Sequence, residues 1–443
     1  MSLSVGVGVR LGGGAALPLP QAASIIAKWD AGTLGLSDGA AVASWADTIA
    51  GYTGTQGTGA NQPIFKANQF GGLPTVRFDG VNDVLQCGRP AALVTAVDTN
   101  QVFTLVVVCR VVSAKSNGMV FGAANGGNAF QMTASGAAMG RYNGGSSTLA
   151  YPSNGSGFNV MMMTSQKPYA TGSGTGLERQ YLQGTCYAAN VAPCPTTGGF
   201  NFAMGALAAG TLPANVDIAE VIMWNTALSL EEGFTVVKRL CDKYAQPYPW
   251  AGAPSIAVCH GDSQTQGVGS TNVANTYPYL LAANLSKPLG TWTNAGIGGM
   301  KMRDMVNEIS QWTGIASVTG KPLRVAAFEY YNERATSPAT LQGYHTSYAA
   351  AVRATGAKLC IGSSISSTLD PDSNRSSLNT WLDTNGTIIA DTYVALHNNT
   401  HIGISGAAAT DANVTYFYDG IHTKNAGAAE IATDMAVGVT ALG

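Results

Sequence analysis

The chain has 443 residues, too many for one compact core and suited to two or three. Only 11% of them are charged, against about a quarter in an average soluble protein, and the net charge is −2. No basic run or stripe points to nucleic acid, no basic amphipathic helix points to a membrane surface, and the longest apolar stretch, Val102–Val112, is too short to cross a bilayer.

The 55 glycines suit a β-rich architecture with many tight turns. Segment 1–22 resembles a secretory leader only superficially. Arg10 lies inside its apolar stretch and not before it, and Gly13 and Gly14 interrupt it. It reads as a flexible or docking segment. Residues 23–246 carry short apolar runs between Gly/Asn/Ser-rich turns: Thr75–Phe78, Val102–Val112, Gly118–Phe121, Phe158–Thr164, Phe200–Gly205 and Val216–Trp224. This spacing predicts an antiparallel β-sandwich. A helix follows, with Ser229 as its N-cap and Tyr244 near its end. Residues 247–254 hold three prolines and predict a stiff linker.

From 255 to 443 the rhythm changes to strand then helix. Strands are predicted at Ser255–His260, Leu323–Tyr331 and Lys358–Ser363, with Thr387–Val394 extending the sheet. Helices are predicted at Tyr277–Leu285, Tyr344–Thr355 and Ala426–Val439. Such alternation predicts a parallel sheet covered by helices on both faces.

Seven cysteines leave at least one unpaired or paired between chains. Cys186 and Cys194 form the one local pair that could close a loop. Cys109, Cys259 and Cys360 read as small core hydrophobes. Asp79, Asn82 and Asp83 offer oxygens to calcium, but such a cluster more often makes a turn, so neither metal nor cofactor is expected. Trp29, Trp45 and Trp224 read as core anchors.

Acyl transfer on a serine needs a hydroxyl, a base, a carboxylate to orient the base, and donors for the oxyanion. Ser263 follows a predicted strand within His260-Gly261-Asp262-Ser263-Gln264, at the sheet edge where open α/β folds place ligands. Asp419 and His422 share one turn before the last helix, so Asp419 can orient the imidazole. Of the other four histidines, His260 is expected to point away from Ser263, His345 to lie on a helix face, and His397 and His401 to sit in an Asn-rich loop. Gly299, in a turn-rich segment, and Asn332, after a predicted strand, are the oxyanion candidates.

These blocks, in this order, resemble the SGNH (GDSL-like) hydrolases over nearly all of 255–443. The resemblance implies a flavodoxin-like α/β/α fold and metal-free ester hydrolysis. It also implies an oxyanion hole made by the amides of Ser263 and Gly299 and the side chain of Asn332. Two departures stand out. The family's Gly-x-Asn-Asp block is Tyr330-Tyr331-Asn332-Glu333 here, and Gln264 replaces the leucine common after the serine in lipase-like members. Tyr330 or Tyr331 could stack on a sugar ring or pack in the core. The segments Ile26–Ala31, Val42–Asp47, Pro74–Asp83 and Ile218–Ser229 resemble the laminin-G/concanavalin-A-like jelly roll over roughly residues 23–245, which implies a two-sheet sandwich of a kind that often binds glycans.

The expectation is a two-domain carbohydrate O-deacetylase, the sandwich positioning an acylated polysaccharide or a small ester, with an oligomer left open. Such pairings resemble those on phage tails and secreted polysaccharide enzymes, which implies an extracellular or virion-associated setting. The rivals are a catalytically silent binding or structural tail or adhesin protein, and a lipase or thioesterase of the same fold.

Overall fold

A computed structural model describes residues 18–113, 115, 118–124, 129–134, 138–141, 151–152, 157–167, 176–190, 199, 201–207, 210–329, 331–368, 372–408 and 415–443. Up to Trp224 the chain builds two antiparallel sheets of eight strands each. The first runs in the order Thr185–Asn190, Leu177–Leu182, Asn159–Gln166, Phe103–Val111, Asn215–Trp224, Leu73–Asp79, Ile64–Phe70, and Ile25–Asp30 also pairs with Asn215–Trp224. The second holds the strands from Ser44–Ala46 to Phe202–Met204 that are absent from the first. Val107, Met161 and Val216 of the first sheet share one buried cluster with Leu85, Phe121 and Phe202 of the second. Trp29, Trp45 and Trp224 are fully buried.

Strand Phe103–Val111 is apolar from Leu105 to Cys109 because both its faces are covered there. Leu105, Val107 and Cys109 face the inter-sheet core. Val106 and Val108 face α1 (Leu230–Lys243), which packs Phe234 and Val237 against them. Ser229 and Glu232 close a reciprocal capping box at the start of α1.

The second half forms a five-stranded parallel sheet: β1 (Ile256–Gly261), β2 (Trp292–Asn294), β3 (Leu323–Phe328), β4 (Lys358–Gly362) and β5 (Thr392–Val394), in the order β2-β1-β3-β4-β5. That is a doubly wound order, with its switch point at the carboxyl ends of β1 and β3. The helices are α2 (Ser263–Gln266), α3 (Tyr277–Asn284), α4 (Met302–Glu308), α5 (Ile315–Thr319), α6 (Pro338–Ala354), α7 (Ser373–Ile389) and α8 (Asn425–Thr440). Val258, Val325 and Leu359 pack on one face with Met302 and Tyr348. Cys259, Ala326 and Cys360 pack on the other with Tyr277, Ile431 and Met435. This half is an α/β unit.

Two boundaries and one helix differ from the sequence reading. The strand expected over Leu323–Tyr331 ends at Phe328, because Glu329 turns inward and residues Tyr331–Glu333 form a 3-10 turn. Thr387 to Ile389 close α7, and the strand begins at Thr392. Helix α7 itself escaped sequence reading, since its polar run carries little apolar periodicity. It is started by Asp372, whose carboxylate accepts from the backbone N–H of Asn374 and Arg375 at 3.0 and 3.2 Å.

The two halves share structure. The stretch after α1 is packed: Trp250 is 2% exposed, stacks on Tyr248 at 5.6 Å and lies 5.4 Å from Phe234. Strand Thr185–Asn190 meets β2 and its approach, where the Gly290 N–H donates to Thr185 Oγ1 at 2.7 Å. Asn294, at the end of β2 and fully buried, donates from Nδ2 to Tyr187 O at 3.3 Å and to Thr265 O at 2.9 Å. One amide thus ties the antiparallel half to α2.

Candidate active site

β1 ends at Gly261, and α2 begins two residues later. A Cβ on Gly261 would lie 2.2 Å from Thr265 Oγ1 and 2.8 Å from Phe328 O. Glycine is needed here for the close approach of β1, β3 and α2, not for an unusual φ. Asp262 caps α2, its carboxylate accepting from Gln264 N–H at 2.9 Å. Ser263 is therefore the first residue of α2, and its N–H has no intrahelical partner.

The loop before α8 brings His422 to Ser263. The loop turns at Gly420, whose φ is +78°, and a Cβ there would lie 2.0 Å from Thr368 Cγ2. His422 Nε2 lies 2.9 Å from Ser263 Oγ, and His422 Nδ1 lies 2.7 Å from Asp419 Oδ2. Asp419 Oδ1 accepts from the N–H groups of Ile421 and His422 at 3.0 and 2.8 Å. Burial raises the Asp419 carboxyl, but the His422 N–H, the imidazole and the Ile421 N–H together hold it below the usual range. A carboxylate so placed fixes the Nδ1–H tautomer, leaving the Nε2 lone pair toward the serine hydroxyl.

Asn332 Nδ2 donates to Asp262 Oδ2 at 3.1 Å and to Met300 O at 2.9 Å. These acceptors belong to the residues beside Ser263 and Gly299, so the Asn332 amide lies near both other expected oxyanion donors. Gly299 has φ +76°. Both Nδ2 hydrogens of Asn332 already have acceptors, so donation to an oxyanion requires one bond to open or be shared. Tyr331 is half-buried, with the Arg334 guanidinium 4.4 Å from its ring centroid. Tyr330 and Cys194 lie outside the described residues.

The other histidines are accounted for. His260 is buried against Trp312, its Nδ1 2.9 Å from Tyr348 Oη, and burial pushes its pKa down to about 3. His345 is buried on α6, lowered to about 4 by burial. His397 Nδ1 meets Ser363 Oγ at 2.9 Å, but Ser363 is fully buried. His401 stacks on Tyr416 at 4.4 Å. Asp79 and Asp83 accept backbone N–H groups of their own turn.

Sequence reasoning missed Asn294, Gln264 and Glu329. Glu329 is 1% exposed and accepts from Asn332 N–H at 3.0 Å and Met302 N–H at 3.3 Å. Burial pushes its pKa well above the ordinary carboxyl value, and the charges of Asp262 and Glu333 push it further. Burial likewise raises Asp262, to about 6. Burial therefore favours the protonated acid in this cluster more than the unfolded chain does, at Glu329 most strongly. A folded pKa above the unfolded one gives stability that is complete below the unfolded value and is lost as pH rises toward the folded one. Wild-type stability is expected to fall as pH rises above the ordinary carboxyl value, read by comparing pH 5 with pH 8, by at most about 1.4 kcal/mol per pH unit for one proton. In Glu329→Gln the amide can donate where the acid proton did, and the slope flattens. Urea melts at both pH values read this directly, and an unchanged slope would place the proton elsewhere.

No family model matches the chain. No curated protein matches it. Among solved structures, one similar chain is a member of the lipolytic G-D-S-L family from Veillonella parvula, at 15% identity and TM-score 0.35, covering 42% of this chain and 98% of that one. Another is an acylhydrolase described from Bacteroides fragilis, at 18% identity and TM-score 0.34, covering 46% and 95%. A third is Trypanosoma rangeli sialidase, at 13% identity and TM-score 0.33, covering 52% of this chain; the matched part spans 34% of the sialidase.

Proposed function

We propose that the chain is a serine esterase that removes short acyl groups, acetyl foremost, from carbohydrate hydroxyls, and that its antiparallel half is a concanavalin-A-like unit that positions the glycan. The observation that carries this reading is the Ser263–His422–Asp419 chain of hydrogen bonds at the carboxyl edge of a parallel sheet.

Ser263 Oγ attacks the ester carbonyl while His422 Nε2 takes its proton. The N–H groups of Ser263 and Gly299 and the Asn332 amide receive the developing oxyanion. The tetrahedral intermediate collapses, His422 passes the proton to the departing alcohol oxygen, and the acyl group stays on Ser263. Water then attacks the acyl-serine with the same base, releasing the carboxylic acid and the free hydroxyl.

Two cavities bear on the substrate. One of about 20 Å³ is lined by Asp262 and Gln264, on either side of Ser263, and by Tyr331, Ile365 and Ile421. That is room for one water or a methyl group; Glu329 and Ser366 also line it, and its place beside Ser263 is the reason to test acetyl first. A wider one, of about 780 Å³, borders the His422 loop through Gly269 and is lined by Ser270, Thr271, Asn425 and Tyr418. Tyr418 is 58% exposed. An open tyrosine among hydroxyls and an amide suits the sugar side of the ester.

The test compares 4-nitrophenyl acetate, butyrate and octanoate, with intact-mass detection of a fluorophosphonate adduct on Ser263. We expect the adduct, and kcat/KM at least about tenfold lower for butyrate than for acetate, since a methylene that does not fit costs about 1–3 kcal/mol. No turnover together with no adduct would sink the esterase reading. A preference for octanoate would favour the lipase alternative.

A further inference from the structure

Gln264 follows the serine and borders the small cavity beside it, yet its carboxamide is bonded to protein and not turned to solvent. It is 7% exposed, and its carboxamide reaches across to the loop that carries His422. Nε2 donates to Ile421 O. Oε1 accepts from Thr423 N–H and from Thr423 Oγ1, each at 3.1 Å. The amide therefore bonds the residue before His422 and the residue after it, as a neighbouring strand would.

We propose that Gln264 is a positioning residue: by clamping both flanks of His422 it sets the distance between the imidazole and Ser263. The inference rests on the serine-esterase reading of the site. The loop's other bonds cannot do this. Asp419 bonds Ile421 and His422 within the same turn, and Tyr418 N–H bonds His422 O. These shape the loop without fixing where it stands. The Thr368 N–H to Gly420 O bond ties it to the segment after β4, and the Asn425–Thr271 bonds hold it at the start of α8. Apart from the Ser263–His422 contact itself, Gln264 makes the direct side-chain tie between α2 and the residues flanking the base.

The chemistry is specific to a carboxamide, which places a donor and an acceptor side by side. Glutamate at neutral pH keeps the acceptor but turns a second lone pair on Ile421 O. Methionine keeps the length and loses both. A base misplaced by about 1 Å costs about 100-fold in rate.

The experiment measures Gln264→Met and Gln264→Glu beside wild type in the full chain. The first readout is the pH profile of 4-nitrophenyl acetate turnover. The second is the His422 ring resonance in histidine-labelled protein, assigned by its loss in His422→Ala. We expect kcat to fall about 100-fold in Gln264→Met with KM changed little. The Gln264→Glu deficit should narrow toward acid pH, where a protonated carboxyl restores the donor; a purely structural loss would not follow pH this way. Both variants should shift or broaden the His422 signal. If both keep kcat within threefold and the His422 signal is unmoved, the proposal is wrong. The resonance decides the positioning role even if wild type turns over no ester, an outcome that would count against the esterase reading alone. If Gln264→Met does not fold, the pH dependence of Gln264→Glu carries the test.

Discussion

Replacing Ser263 with alanine is expected to lower kcat for 4-nitrophenyl acetate by about 10⁴- to 10⁶-fold. In the proposed reaction the hydroxyl oxygen forms the acyl bond, and a methyl group cannot take its place. The imidazole that touches the hydroxyl, His422, acts as a base rather than as a second nucleophile. His422→Ala should cost about as much as Ser263→Ala, and the double variant no more than either, because the groups act as a unit. Asp419→Ala should cost less, since the Tyr418 N–H to His422 O and Thr368 N–H to Gly420 O bonds still shape and tether the turn. Its loss removes the acceptor that selects the Nδ1–H tautomer, an effect of about 10⁴-fold. The measurement is kcat of each purified variant, normalised to the fluorophosphonate-reactive fraction of wild type. A Ser263→Ala protein retaining more than about a hundredth of wild-type kcat would mean that the hydrolysis arises elsewhere.

The Ser263–His422–Asp419 juxtaposition was legible because its parts are written locally. Gly-Asp-Ser ends a strand, and Asp419 and His422 sit three residues apart before a helix. What joins them is not local. Gln264 and Thr423 are 159 positions apart, and Asn294 bonds Tyr187 across 107. Gln264 was visible in sequence as a departure after the serine, but its role appears only when the loop before α8 is folded back onto α2. Glu329 was hidden differently. It stood inside a predicted buried strand, where an unpaired carboxylate is costly, and that conflict was the available signal. The structure resolves it by ending the strand at Phe328 and turning Glu329 toward Met302 and Asn332. The proline-rich stretch 247–254 reads as a spacer from composition, yet Trp250 is buried between Tyr248 and Phe234. Composition reports backbone stiffness; it does not report which side chain finds a pocket.

The largest expected effect on stability lies far from the site, at Asp217. This carboxylate is fully buried on strand Asn215–Trp224, with Arg77 and Arg110 as its cross-strand partners on either side. Arg77 donates from Nε and Nη2 at 2.7 and 2.9 Å, and Arg110 donates from Nε at 3.0 Å and from Nη2. Asp217→Ala leaves two guanidinium groups facing each other across the sheet without their shared counter-charge. Breaking a buried pair in this way costs about 3–5 kcal/mol, and the lower end applies because both arginines are partly exposed and can turn to water. Replacing all three residues together with apolar ones of similar volume should cost far less, since the charges left behind cause the loss. The effect should reach Ser263. Phe70 and Val106 of the antiparallel half lie in the same buried cluster as Ile256, Val325 and Trp312 of the parallel one. A core continuous across the two halves predicts that they unfold together. Thermal melts of Asp217→Ala, followed by tryptophan fluorescence and by esterase activity, should shift to lower temperature by the same amount. Activity that outlasts the fluorescence transition would show instead that the parallel half holds its fold without the antiparallel one.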